Sequence, residues 1–320
     1  MTKLDDLIFH DDEAARTHFE ALRWPDGRVC PHCGTIGNSA LLQGKSTRAG
    51  VYKCRDCKKP FTATVGTIFE SSHIPLRTWL AGTHIMCSSK KGVSALQLQR
   101  QLGLGSYRSA WFMAHRIREA MKTDDLPPMG GEGGVVEVDE TFFGQDPNSA
   151  PSKMAIRSMN KIVTLLDRDS GQTRSIVVRE INMKTIAELL NAHLSPAANL
   201  MTDEANHYKT PGKAFAGHRS VNHAQGEYAK LSDSSITTNR VEGFFAIFKR
   251  GMRGIYQHCG SQHLSRYLTE FDFRYSNRQA TGCDDTERAR RAIKGVIGRR
   301  LMYRMPYRRG LATGETALGG

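Results

Sequence analysis

The sequence predicts a chain of α/β class, with a mixed layer domain in its second half and two smaller modules before it. Three observations carry that expectation. Residues 135 to 203 order themselves as three strand-like segments, a helix and a fourth strand, and a long apolar helix follows after a loop. Four of the seven cysteines fall in two close pairs near the amino terminus. Between those pairs and the strands lies a stretch of helical periodicity.

With 320 residues the chain has room for two or three domains. Lys plus Arg (45) exceeds Asp plus Glu (32), a net charge of +13 that suggests a polyanionic partner, nucleic acid or an acidic membrane surface. No apolar run approaches the roughly 18 residues of a membrane span. The stretch MTKLDDLIFHDDEAARTHFE is acidic and amphipathic, without the basic-then-apolar layout of a signal peptide, so a cytoplasmic location is expected. In a reducing compartment paired cysteines argue for metal rather than disulfides. Cys87, Cys259 and Cys283 stand alone and read as packing residues.

Residues 1 to 23 suggest one amphipathic helix with Leu4, Leu7, Ile8, Ala15, Phe19 and Leu22 near one face, broken by the turn Trp24-Pro25-Asp26-Gly27. In residues 24 to 70, Cys30 and Cys33 form one Cys-x-x-Cys knuckle and Cys54 and Cys57 another, with 20 residues between. Tetrahedral zinc needs four soft ligands, and two knuckles joined by a hairpin supply a closed structural set, a zinc ribbon. His32 inside the first knuckle reads as a bystander. The basic residues from Arg28 to Lys59 suit either DNA or a solvated face.

Residues 71 to 123 are helical in pattern. Pro75 opens a helix through Trp79, Leu80 and Met86. Val93, Leu96, Leu98 and Leu102 then give an apolar face, LGLGS makes a turn, and Tyr107 to Met121 form a further helix. That is the outline of a helix-turn-helix, in which Tyr107, Arg108 and Ser109 are the candidate DNA contacts. Two helices packed for stability alone share the pattern. Residues 124 to 134, rich in Pro and Gly, read as a linker.

From residue 135, Val136, Val138 and Glu140 alternate with Glu137, Asp139 and Thr141 as in a strand. Asp139 thus sits in apolar surroundings, where a carboxylate is costly unless paired or metal-bound, and Glu137 reads as a surface residue at the outer end. KIVTLLDRD and TRSIVVRE form a hairpin turning at Asp169-Ser170-Gly171. A helix from Met183 to about His193 and a short strand ending at Asp203 follow.

In the later helix, Asn239, Glu242, Ala246 and Lys249 lie along one stripe, Val241, Phe244, Phe245, Ile247 and Phe248 hold it in a core, and Gly251 and Gly254 mark its end. A carboxylate and a lysine so placed can serve one anionic substrate. The competing reading is a capping box, with Asn239 as N-cap and Glu242 folded back on the free amide. Asp139, Asp203 and Glu242 are together a donor set for hard divalent ions. Two such ions about 4 Å apart can assist in-line displacement at phosphorus.

The blocks VEVDET, TDEANHY, VNHAQGEYAK, TTNRVEGFFAIFKRGMRGIYQH and HLSRYLTEFDFRYSNR resemble successive blocks of the DDE transposases of bacterial insertion sequences that carry an amino-terminal zinc ribbon. The likeness runs from about residue 20 to about residue 278. It implies an RNase H-like domain of mixed sheet and flanking helices over residues 135 to 278, DNA as substrate, and two Mg2+ or Mn2+ ions beside the structural Zn2+. By motif match the family's acids fall on Asp139, Asp203 and Glu242, and the basic residue on Lys249, with Arg250 and Arg253 beside it as further DNA contacts. Some members are described with an asparagine as third polar residue, which leaves Asn239 as an alternative to Glu242; the charged oxygen is the better donor for a hard cation. His223 matches a family block, with packing or hydrogen bonding favoured over chemistry.

Residues 279 to 320 lie beyond the likeness and form a basic tail. Tyr303 and Tyr307 among its arginines suit phosphate contact and stacking, and a solvated tail is the alternative. The expected activity is cleavage at the terminal inverted repeats of an insertion sequence and transfer into target DNA, by at least a dimer on DNA. The alternatives are a non-catalytic DNA-binding regulator and a structure-selective nuclease on the same fold.

Overall fold

The computed structural model describes residues 4–124, 126–149, 155–222, 229–230 and 233–301. His223, Tyr303 and Tyr307 lie outside the described residues.

Two aspartates divide the amino-terminal segment that the sequence suggests is one helix. Asp6 accepts from the Ile8 amide over a 3-10 turn at Leu7–Phe9, and Asp11 accepts from the Ala14 amide at the start of α1 (Asp12–Arg23). Leu7 is consequently 70% exposed, and Phe9, Ala15 and Phe19 are the residues that face the core. The ribbon follows as an antiparallel sheet of β1 (Ser39–Leu41), β2 (Tyr52–Cys54) and β3 (Pro60–Phe61) in that order. Tyr52 and Phe61 pack with Cys30, Cys54 and Trp24 in a core of its own.

Next come α2 (Leu76–Ser88), α3 (Ala95–Leu102) and α4 (Tyr107–Ala120). Ser94 caps α3 and Ser106 caps α4 through their side chains. Gly103, in the left-handed region at φ 62°, ends α3, which is a conformation that other residues adopt at a cost. Trp79, Leu80, Met86, Leu98, Met113 and Ile117 share one core with Phe19 of α1.

The second half builds β4 (Val135–Gln145), β5 (Met159–Asp167), β6 (Thr173–Val178), α5 (Met183–His193), β7 (Asn199–Asp203), the single turn α6 (Asn206–Lys209) and β8 (Gly217–Val221). A small pair, β9 (Ala229–Lys230) and β10 (Asp233–Thr237), leads into α7 (Asn239–Gly251) and α8 (Ser261–Ser276). The five-stranded sheet has the order β6-β5-β4-β7-β8, antiparallel from β6 to β4 and parallel from β4 to β8. This mixed order is that of an RNase H-like domain, as the sequence led us to expect.

Residues alternate between the two faces of the sheet. Val136, Val138, Val163 and Leu165 pack under α5 with Ile186, Leu189 and Leu190. Ile162 and Leu166 face the other way, against Val241, Phe244 and Phe248 of α7 and Leu264, Leu268 and Phe271 of α8. The odd-numbered residues of β4 between Val136 and Glu140 therefore point toward α7.

The α-helix α7 ends at Gly251, as the sequence suggests, yet this glycine is no left-handed stop. It has ordinary helical angles, φ −66° and ψ −45°, and the chain continues through a wider turn, Met252–Tyr256, that ends at Gln257. A β-carbon at Gly251 would lie 2.5 Å from the Phe271 ring and 2.7 Å from the Lys91 carbonyl oxygen, so the glycine also permits close packing.

The basic segment after residue 279 also differs from a solvated tail. Residues 285 to 294 form α9 (Asp285–Lys294), which buries Ala289, Ala292 and Ile293, with Val296 just beyond it, in the core shared with α1, α2 and α4. Arg288 is buried with them and donates to the carbonyls of Cys87, Asn277 and Cys283. No described helix is long and apolar enough to cross a membrane.

Candidate active site

Asp139 stands on the central strand β4, opposite Thr164 of β5. On its other side β4 runs parallel to β7 with Val135, Val136 and Glu137 paired to Asn199, Leu200 and Met201. Continued two residues further, that register sets Asp139 beside Asp203. Two carboxylates at adjoining strand positions, on the face that α7 covers, repel one another in poorly hydrated surroundings. Burial pushes the Asp139 carboxyl up to about 8, and the negative charges of Glu140, Asp203 and Glu242 add to the effect. Asp203 itself accepts from the Ala205 amide at 3.0 Å.

Glu242 reaches this group from α7. The capping box that the sequence allows does not form. Thr238 occupies the N-cap position, and its hydroxyl donates to Glu242 Oε1 at 3.0 Å. The amides at the helix start go to β4 instead: Arg240 N–H and Val241 N–H both donate to Glu137 Oε2 at 2.9 Å. Glu137 is thus fully buried rather than a surface residue. It also accepts from Arg168 Nε at 2.7 Å. The apolar strand tolerates this carboxylate because a guanidinium and two helix-end amides satisfy it.

Lys249, two helical turns after Glu242, is half-buried. Burial and then the neighbouring Arg253 charge lower its ammonium, and Asp139 acts in the opposite direction, which marks the lysine as part of the same cluster. Arg250 and Arg253 are exposed, with Arg250 Nε donating to the Ala246 carbonyl. Asn239 is the first helical residue and exposed, its amide donating to Thr237 Oγ1 at 3.1 Å. On the opposite face of β4, Glu140 accepts from the Tyr208 hydroxyl and lies 3.2 Å from His207 Nε2. Sequence reasoning missed Glu137 and Glu140 as organised groups; the signal available was a second and third carboxylate flanking Asp139 in an apolar strand.

Among the described residues, the four ribbon cysteines are the one set of three or more Cys, His, Asp or Glu whose ligand atoms all lie within 4.8 Å of one another. Sulfurs 2.3 Å from a tetrahedral zinc lie about 3.8 Å apart. The Cys30–Cys57 and Cys33–Cys54 sulfur distances are 3.7 and 3.6 Å, so the donor set fits that ion. His32 instead bonds the Pro60 carbonyl at 3.2 Å. Asp139, Asp203 and Glu242 are more widely spread. Their oxygens and mutual repulsion fit hard divalent cations, which accept carboxylates together with water and phosphate oxygens.

The first turn of α4 presents Tyr107, 53% exposed, with Arg108 and Ser109 exposed beside it. In the ribbon, Arg28 is stacked over the Tyr52 ring with 3.6 Å between guanidinium carbon and ring centroid, so this residue supports the ribbon core.

The sheet order and the carboxylates on its central strands define a domain of the RNase H-like class. Residues 132–276 match the ISXO2-like transposase domain, and residues 10–60 match the transposase zinc-ribbon domain. The chain belongs to the DDE transposases of insertion sequences, in the group with an amino-terminal zinc ribbon. It is 23% identical over 284 residues to an uncharacterized protein in transposable element ISH50 of Halobacterium salinarum, covering 83% of this chain and 91% of that protein. A chain of the simian T-cell lymphotropic virus intasome in complex with a PP2A regulatory subunit, B56 gamma, aligns at a TM-score of 0.28 and 16% identity, over 55% of this chain and 63% of that one. That overlap is too loose to bear on the fold.

Proposed function

We propose that this chain cleaves DNA at the ends of an insertion sequence and joins the freed ends to target DNA. The observation that supports this best is the convergence of Asp139, Asp203 and Glu242, from two adjoining strands and a helix, inside the matched transposase domain. Mg2+ or Mn2+ bound by these three carboxylates would supply charge neutralisation and activation of an attacking oxygen.

The chain's own groups do the rest. In the first step water attacks phosphorus and the bond to the 3′ oxygen breaks, leaving a 3′-hydroxyl. In the second that hydroxyl attacks a target phosphodiester and displaces another 3′ oxygen. Both are in-line phosphoryl transfers, so positioning and charge dominate. Lys249 holds a phosphate oxygen near the scissile bond, with Arg250 and Arg253 on the flanking backbone. Tyr107, Arg108 and Ser109 lie at the start of α4, where a recognition helix meets base edges. Zinc at Cys30, Cys33, Cys54 and Cys57 folds the ribbon. Joining two ends requires both to be held at once, hence at least a dimer on DNA.

The test uses duplexes copied from any inverted repeats flanking the gene. Wild type should nick them in Mg2+ and join the product to plasmid DNA, whereas Asp139→Asn should bind them equally and do neither. Undiminished cleavage by Asp139→Asn contradicts the proposal. Equal cutting of junctions and hybrids of any sequence would favour a structure-selective nuclease.

A further inference from the structure

We propose that Glu137, held by Arg168, is the positioning residue that sets α7 against β4 and thereby brings Glu242 to Asp139. The inference rests on the reading of Asp139, Asp203 and Glu242 as metal ligands, and adds a residue to it.

Glu137 and Asp139 are two residues apart on one strand, so both side chains leave the same face of the sheet. One Glu137 oxygen takes the amides of Arg240 and Val241, each at 2.9 Å, the job that an N-cap side chain ordinarily does from within the helix. Thr238 has no capping bond of its own, and its hydroxyl is turned to Glu242 instead. The start of α7 is therefore fixed to the strand that carries Asp139, and Glu242 lies within the next turn.

Arg168 completes the joint. Its Nε meets the other Glu137 oxygen at 2.7 Å, while its two remaining nitrogens donate to the Ser235 and Thr237 carbonyls at 2.6 Å. The guanidinium thus ties β4 to the segment that leads into α7. In return the Arg240 guanidinium donates to the Arg168 carbonyl at 2.6 Å. A planar fork can hold three acceptors in this way; a lysine cannot. Loss of the joint leaves the acids present but their spacing loose, and groups that orient metal ligands typically contribute about 10- to 100-fold in metal affinity.

The test is Mn2+ binding to the zinc-loaded full chain, followed by calorimetry, for wild type, Asp139→Asn, Glu137→Ala, Glu137→Gln and Arg168→Lys, at a temperature well below each melting point. We expect Asp139→Asn to abolish binding, Glu137→Ala and Arg168→Lys to weaken it about tenfold or more, and Glu137→Gln, which keeps an acceptor for the helix amides, to recover part of the loss. In the zinc-loaded chain without Mn2+, exchange of the Arg240 and Val241 amides should quicken most in Glu137→Ala, less in Glu137→Gln, and stay at the wild-type rate in Asp139→Asn. If wild type binds Mn2+ through Asp139 but Glu137→Gln and Arg168→Lys, folded, bind it equally well, the positioning role is overturned and the metal site stands. If wild type binds no Mn2+ at all, the metal site itself is overturned. Should Glu137→Ala fail to fold, the Gln and Lys variants carry the comparison.

Discussion

Arg118 on α4 and Glu270 on α8 form a 2.7 Å ion pair in which the side chains are 2% and 0% exposed. Arg274 lies 3.2 Å from the same carboxylate, and the Tyr256 hydroxyl donates to it at 2.6 Å. The helix that offers candidate DNA contacts at its start is thereby anchored at its other end to the domain that holds the acidic cluster. Removing one partner strands a buried charge, which costs about 3–5 kcal/mol. Glu270→Ala should lose that much stability in urea denaturation; a change below about 1 kcal/mol would show that the pair is not a structural anchor.

Asp272 on α8 gives a pH dependence of definite sign. Its two oxygens accept from the Ser175 amide and hydroxyl on the edge strand β6, yet burial pushes its carboxyl up to about 7. The unfolded chain releases that proton near pH ~4. Stability from this group is therefore full below pH ~4, falls as pH rises through the interval up to about 7, and is flat above it. Asp272→Asn can keep both contacts, because the Ser175 hydroxyl can turn its donor to Thr164, 3.0 Å away. The melting temperature of Asp272→Asn relative to wild type should therefore increase between pH 5 and pH 8. A difference independent of pH would place the titration elsewhere.

The ribbon should carry about one zinc per chain, measured by atomic absorption. Zinc binding in such modules supplies folding free energy directly. Cys54→Ser should lose the metal and change the fluorescence of Trp24, whose ring packs edge-on to Tyr52 and Phe61 at 6.0 and 6.1 Å. Metal-free wild type with freely alkylated Cys30 and Cys54 would contradict the assignment.

Gly251→Ala should destabilise by about 1–3 kcal/mol, as overpacking does, since the new methyl meets the Phe271 ring and the Lys91 carbonyl. A neutral outcome in thermal denaturation would mean that α7 can shift away from α8 at little cost.

How far the sequence discloses this fold depends on the range of the interaction. The helix at Met183–His193 and the strand ending at Asp203 were legible because their periodicities are local. Asp139 was legible as a carboxylate out of place in an apolar strand. Glu137 was misread because its partners, Arg240 and Val241, are 103 and 104 residues away and nothing local shows that a helix end will arrive there. Gly251 was legible as the end of α7, but not as a close contact, because Phe271 and Lys91 are distant in sequence. In α9 the arginines hid a short stripe of Ala289, Ala292 and Ile293, and Arg288 is buried although charged.

The most direct measurement is an anomalous-scattering map from crystals of the zinc-loaded protein soaked in Mn2+. We predict manganese peaks bounded by oxygens of Asp139, Asp203 and Glu242, about 4 Å apart where two ions bind. Manganese elsewhere, or at the aspartates with Glu242 turned away from it, would contradict the proposed site.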